Sequence, residues 1–223
     1  MTSAAVEEKR SDWFVRQVTE RCLRDRGQRS ALRRGLRRSP EQAYTMHAVV
    51  APLLPANVRS DHEYAHYAVA AMIAAATRDR SGTDTAEETP DPSGETPDPW
   101  GTEEVAAPAR DASATRPNLG TSLAWAVCQP GKGRRPMNRA NAEKRLHLLA
   151  RQGYPGIYQH LAGVAQHLGA VEVQVSWGQL LDDLCQWRYR RDQVTKRWLQ
   201  SYYRILHDAD RRAQQNQSQE ESA

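Results

Sequence analysis

The run His62-Glu63-Tyr64-Ala65-His66 matches H-E-x-x-H on a segment with helical periodicity. On a helix its two imidazoles lie on one face, where they could share a zinc ion while the glutamate acts as base. Zinc hydrolysis is therefore one reading of the chain, and three features weigh against it. His62 falls in the first turn, and Glu63 is placed to close a capping box with Ser60. The positions where a metal-binding extension would continue are Val69 and Met72, which cannot ligate. A glutamate such as Glu87 or Glu88 would have to come from a polar segment without elements of its own. Asp182 and Asp183 are adjacent, so on a helix they point about 100° apart and read as solvated-face residues rather than a shared site. Gly131-Lys132-Gly133 lacks the full phosphate-cradling loop pattern and follows no strand. Cys22, Cys128 and Cys185 form no C-x-x-C pair and read as reduced, partly buried thiols. No catalytic residue, metal site or cofactor is assigned.

The residues that stand above this background are cationic. Arg33, Arg34, Arg37 and Arg38 form one group; Lys132, Arg134, Arg135, Arg139, Lys144 and Arg145 a second; Arg188, Arg190, Arg191, Lys196 and Arg197 a third. Guanidinium groups fork onto phosphate oxygens, so an array of them binds nucleic acid with little regard to sequence. The competing reading is an ordinary solvated helix face. The assigned nucleic-acid-binding residues are Arg33, Arg34, Arg134, Arg135, Arg139, Lys144, Arg145, Arg188, Arg190 and Arg191. Tyr189, between two of them, could stack on a base or belong to the core. Residues 177–197 could alternatively serve as the helix-turn-helix of a duplex-binding regulator.

The formal charge of +4 averages two unlike parts. Residues 79–104 hold nine acidic residues and one basic, a net −8, which leaves +12 on the remainder. From 79 to 117 the chain is rich in Thr, Asp, Glu, Pro and Gly, too polar to offset the entropy of ordering, and is expected to be a flexible acidic insertion carrying Trp100. No run approaches the roughly 18 apolar residues that crossing a bilayer needs, and residues 1–10 lack the apolar stretch of a secretion signal. A cytoplasmic protein is expected.

The elements that must position these groups are helices, since alternating apolar patterns are rare. A first helix over 11–26 buries Phe14, Val18 and Cys22. Ser30 caps a second, which turns Leu32 and Leu36 inward and its arginines outward. Ser39-Pro40-Glu41-Gln42 starts a third, ending before Pro52. Ser60 opens a fourth to about residue 78, with Tyr64, Tyr67 or Ala68, Ala71 and Met72 or Ala75 inside. Leu119, Leu123 and Val127 form the next stripe, and 131–136 breaks the chain. Helices follow over 139–152 (Ala142, Leu146 and Leu149 inside), from Pro155 (Ile157, Leu161, Val164, Leu168), from Ser176 (Trp177, Leu180 or Leu181, Leu184) and over 192–209 (Val194, Trp198, Tyr202, Ile205). Val171 to Val175 reads as an extended connector, and residues 211–223 as a disordered tail.

The ordered series Ala31-Leu32-Arg33-Arg34-Gly35, Leu53-Leu54-Pro55, residues 64–76, Asn118-Leu119-Gly120-x-Ser122-Leu123-Ala124, Glu143-Lys144-Arg145-Leu146-x-Leu148-Leu149 and Val175-Ser176-Trp177-x-x-Leu180-Leu181-x-Asp183-Leu184-x-x-Trp187, then Val194, Trp198 and Tyr202-Tyr203, resembles the CasB family. These are the small subunits of the type I-E CRISPR Cascade complex. The likeness covers most of 31–203 outside the insertion; the acidic insertion and both tails depart from it. The resemblance implies an all-α, two-lobed helical bundle, with an N-terminal lobe over 10–128 that includes the disordered insertion and a C-terminal lobe over 129–210. It further implies a non-enzymatic subunit, paired with a second copy of itself and with other Cascade subunits. Its nucleic-acid partners would be guide RNA, target DNA and the displaced single strand, with the R-loop stabilised by its contacts. Carried over by position, Arg33, Arg34, Lys144, Arg145, Arg188, Arg190 and Arg191 would lie on the nucleic-acid face.

Overall fold

The computed structural model describes residues 9–77 and 116–220, and every regular element among them is helical. The acidic insertion and Trp100 lie outside the described residues, apart from Arg116 and Pro117. Helix α1 (Arg10–Arg24) buries Phe14, Val18 and Cys22, as its four-residue repeat demands. Helix α2 (Arg26–Arg34) begins before Ser30, because the Asp25 carboxylate accepts from the Gly27 and Gln28 amides at 2.7 and 3.0 Å and caps it there. Residues 40–53 do not form the single helix expected of them. Three short 3-10 turns surround one α-helical turn, α3 (His47–Val50). The His47 ring folds back on this segment: Nε2 donates to the Pro40 carbonyl (3.1 Å), and Nδ1 accepts from the buried Tyr67 hydroxyl (2.6 Å).

Helix α4 (Ser60–Ala76) is buried on almost every side, with Tyr64, Ala65, Tyr67, Val69, Ala70, Ala71, Met72, Ile73 and Ala74 all inside. That is the pattern of a helix at the centre of a bundle, and its small residues let α1, α2, α7 and α8 close around it. Ser60 is its first helical residue rather than its cap, so the expected box with Glu63 does not form. Asp61 is buried instead, and accepts from Arg59 through both oxygens (3.2 and 2.9 Å).

Helix α5 (Leu119–Cys128) is capped by Asn118, whose side chain accepts from the Thr121 amide at 3.1 Å. Gly120 sits against the backbone of Trp198: a β-carbon there would lie 1.9 Å from the Trp198 carbonyl oxygen, so only glycine allows the approach. Helices α6 (Arg139–Arg151) and α7 (Ile157–Ala170) bury the stripes their spacing called for, and 171–176 is the non-helical connector. Helix α5 packs most extensively on α8 and then on α6.

Helix α8 (Trp177–Glu220) is broken at one residue, Arg190, whose φ of −130° and ψ of 27° leave the helical range. Along a straight helix Asp183 and Trp198 would stand about 22 Å apart. Here the Trp198 indole donates to Asp183 at 2.6 Å, and the Trp187 and Trp198 rings stack at 5.1 Å. The chain therefore folds back sharply at Arg190, giving two arms, 177–189 and 191–220. Leu180, Leu181, Leu184 and Trp187 are buried from the first arm, and Val194, Trp198, Tyr202 and Leu206 from the second, where Leu206 takes the place expected of Ile205. The second arm continues as helix to Glu220, through residues that the sequence suggested as a disordered tail; Ala, Arg and Gln are good helix formers that prolong it while residues 211–219 stay exposed. Among the described residues, no helix is long and apolar enough to cross a membrane.

Candidate nucleic-acid interface

Helix α7 contains no acidic residue, and its outer side presents Gln159, His160, Gln166 and His167. Two of the cationic groups meet across it. Arg37 adopts a left-handed conformation (φ 65°), and its carbonyl accepts from the Gln159 side chain at 3.1 Å. Its guanidinium lies 3.5 Å from where a side chain on Gly163 would begin. The carbonyl of Gly163 accepts from His167 Nδ1 at 2.8 Å, and His167 Nε2 accepts from Arg145 at 2.6 Å. Because arginine can only donate, these two bonds fix the tautomer of His167. Arg37 and Arg145, more than a hundred residues apart in sequence, thus belong to one continuous polar belt. Arg33, Arg34 and Arg38 are exposed beside Arg37, and Lys144 beside Arg145. Arg134 stands past the far end of α7, paired at 2.5 Å with Glu172.

At the other end of α7, the fold-back of α8 opens a groove of about 550 Å³ between residues 187–193 and the α6–α7 turn at Gly153 and Tyr154. Arg188, Arg190 and Arg191 line it. Arg188 lies over the Tyr154 ring at 5.3 Å and over the Tyr189 ring at 5.7 Å. Tyr189 is 65% exposed, so it is not a core residue. Arg59 from the start of α4 covers its ring at 4.8 Å, while Asp61 holds that guanidinium in place. Arg59 and Tyr154 were missed from sequence, because no spacing connects residues 59, 154 and 189. Trp187 fixes the base of the groove by donating from its indole to the Gln152 carbonyl (3.2 Å).

The assigned cations differ in how they are held. Among the described residues Arg33, Arg34, Arg135, Lys144 and Arg190 have no carboxylate partner. Arg139 pairs with Asp210 at 2.9 Å and Arg191 with the neighbouring Asp192 at 3.1 Å. The carboxylates beside Arg134 and Arg139 hold both guanidinium groups more firmly protonated. Arg197, from the third group, turns inward to Asp183 at 2.8 Å.

Asp183 is a correction to the sequence reading, which placed it on a solvated face. It is fully buried and accepts from Gln179 (3.0 Å), Arg197 and Trp198, tying together the two arms of α8. Burial pushes its carboxyl above the usual range, and these donors pull it back. Asp182 is half-buried and pairs with Arg116, which also grips Asp12 at 2.6 Å. Of the H-E-x-x-H histidines, His66 is tied into the bundle: its Nδ1 donates to the His62 carbonyl at 2.7 Å, and its ring meets Phe14 edge-on at 4.7 Å. Burial lowers the pKa of His66. Among the described residues no three His, Cys, Asp or Glu side chains converge as a metal site requires. Residues 177–197 do not form a helix-turn-helix either, because one residue makes the bend where that motif uses three or four, and the second arm buries Val194 and Trp198.

The family model described as CRISPR-associated protein Cse2 matches residues 28–203. A chain of a solved CRISPR RNA-guided surveillance complex is 33% identical, covering 92% of this chain and 97% of that one, with a TM-score of 0.67. A chain of a CRISPR RNA-guided surveillance complex in a pre-nicking state is 34% identical with the same coverage and a TM-score of 0.68. CasB from Thermus thermophilus, at 22% identity, shares the fold over 88% of this chain and 99% of its own, with a TM-score of 0.57. No curated protein matches the chain.

Proposed function

The chain belongs to the CRISPR-associated Cse2 family, and from that premise we propose that it is a subunit of a type I-E RNA-guided surveillance complex, Cascade, in antiviral defence. In this reading it acts in the cytoplasm, beside a second copy of itself and the other subunits, and contributes binding rather than catalysis. It holds guide RNA, target DNA and the displaced strand by their phosphates. Exchange of a DNA duplex for a guide-target heteroduplex is nearly balanced in free energy, so contacts blind to sequence are enough to tip it toward the open R-loop.

The observation that carries this reading is the belt along α7. Arg37, from the loop after α2, and Arg145, from α6, meet over an acid-free helix about 21 Å long, and the three arginines of the α8 bend stand at its N-terminal end. Such a track follows a backbone without reading bases. Arg190→Ala with Arg191→Ala should weaken binding about equally for unrelated sequences and lower the salt slope for single strands by roughly 1 to 1.5. Unchanged affinity and slope would remove these two residues from the site. Tagged chain expressed with its partner proteins should bring down a defined guide RNA, and recovery of the chain alone would overturn the assignment.

A further inference from the structure

Seven of the fourteen described Phe, Trp and Tyr side chains are buried, whereas Tyr189 stands 65% exposed at the bend of α8. It is nevertheless held. The Arg59 guanidinium lies over its ring at 4.8 Å, and that guanidinium is fixed in turn by both oxygens of the buried Asp61. An exposed ring with its orientation set in advance loses little conformational freedom when a flat partner stacks on it. Around it lies a groove of about 550 Å³, within the range that accommodates a small organic ligand, and its rim carries Arg188 and Arg190. A π-face flanked by guanidinium groups matches one kind of occupant, a nucleotide whose base is free of its neighbours and whose phosphates lie on either side. Bases inside a duplex have both faces covered and cannot use such a platform.

We propose that the bend of α8 seats one unstacked nucleotide of a single strand, with its base on Tyr189 and its flanking phosphates on Arg188 and Arg190. Arg59 acts as a positioning residue for the ring. This deepens the nucleic-acid reading above and rests on it, adding a base contact that tolerates any sequence to contacts that see only the backbone.

The test compares two fluorescent single strands of equal length, oligothymidylate and the same chain built of abasic sites, titrated with the full-length protein at one salt concentration. The wild type should bind the thymidylate about five- to a hundredfold more tightly. Tyr189→Ala should bring that ratio to about one while leaving the salt slope unchanged, and Tyr189→Trp should preserve the ratio. Arg59→Ala should reduce it, and an unaltered ratio there would overturn the positioning role. Equal wild-type affinity for the two strands, or a preference that survives Tyr189→Ala, would overturn the seat and leave backbone binding intact. Failure to bind either strand would instead overturn the function on which the seat rests.

Discussion

The bend of α8 and the stretch around 131–139 look alike as sequence, each a dense run of basic residues, and the structure makes them physically different. At the bend, Arg188 lies over tyrosine rings and Arg190 meets no carboxylate among the described residues, while Arg191 pairs only with the highly exposed carboxylate of its neighbour Asp192. In the second region Glu172 and Asp210 already hold Arg134 and Arg139. A guanidinium with a carboxylate beside it must lose that partner before it can take a phosphate, whereas one lying on an aromatic face keeps its donors for the ligand. Cationic residues thus count toward binding according to their neighbours, which the primary order does not reveal.

The largest test of this contrast removes what forms the bend. Asp183→Ala leaves Trp198 and Arg197 without their acceptor, and should destabilise the fold by about 2–4 kcal/mol in denaturant titration, the partial exposure of Arg197 keeping the figure below that of a fully buried pair. Loss of single-strand binding should accompany unfolding, and a variant that unfolds no more easily would detach Asp183 from the bend. A smaller effect is expected from Arg134→Ala with Arg139→Ala, which should alter the salt slope by less than half as much as the change at Arg190 and Arg191. Equal slopes would erase the distinction between the regions. Smallest is the reverse experiment: Glu172→Gln with Asp210→Asn frees both arginines, and should strengthen single-strand binding about two- to fivefold at low salt while steepening the slope.

Much of this architecture was readable from four-residue spacing. Ala142, Leu146 and Leu149 in α6, and Ile157, Leu161, Val164 and Leu168 in α7, are buried as expected, because an apolar stripe on a helix has one stable place to go. Helix starts were read less well. Serines at 30, 39 and 60 suggested caps; Ser39 does stand at the start of the turn that begins at Pro40, but Asp25 caps α2 and Ser60 lies inside α4, since any hydroxyl before an apolar run gives the same signal. Asp183 was misjudged because its 100° separation from Asp182 rules out a shared site without saying which of the two turns inward. The cationic runs were visible as composition, yet their pairing depends on residues such as Arg59, Tyr154, His167 and Asp210, brought near only by the fold. The sharp return at Arg190 has no glycine or proline to mark it, and only the change of apolar phase between Trp187 and Val194 hints at two helices.

The grip of Arg116 on Asp12 and Asp182 has a bearing on how the chain tolerates change in length. On the near side of the insertion, Thr77 closes α4 through its amide and hydroxyl bonds to the Ile73 carbonyl, so each junction is moored to the helical body on its own account. Doubling a loop between two fixed points costs only about 0.6 kcal/mol. That makes the interval a natural position for genetic insertion of a fluorophore or purification handle without disturbing the helices on either side.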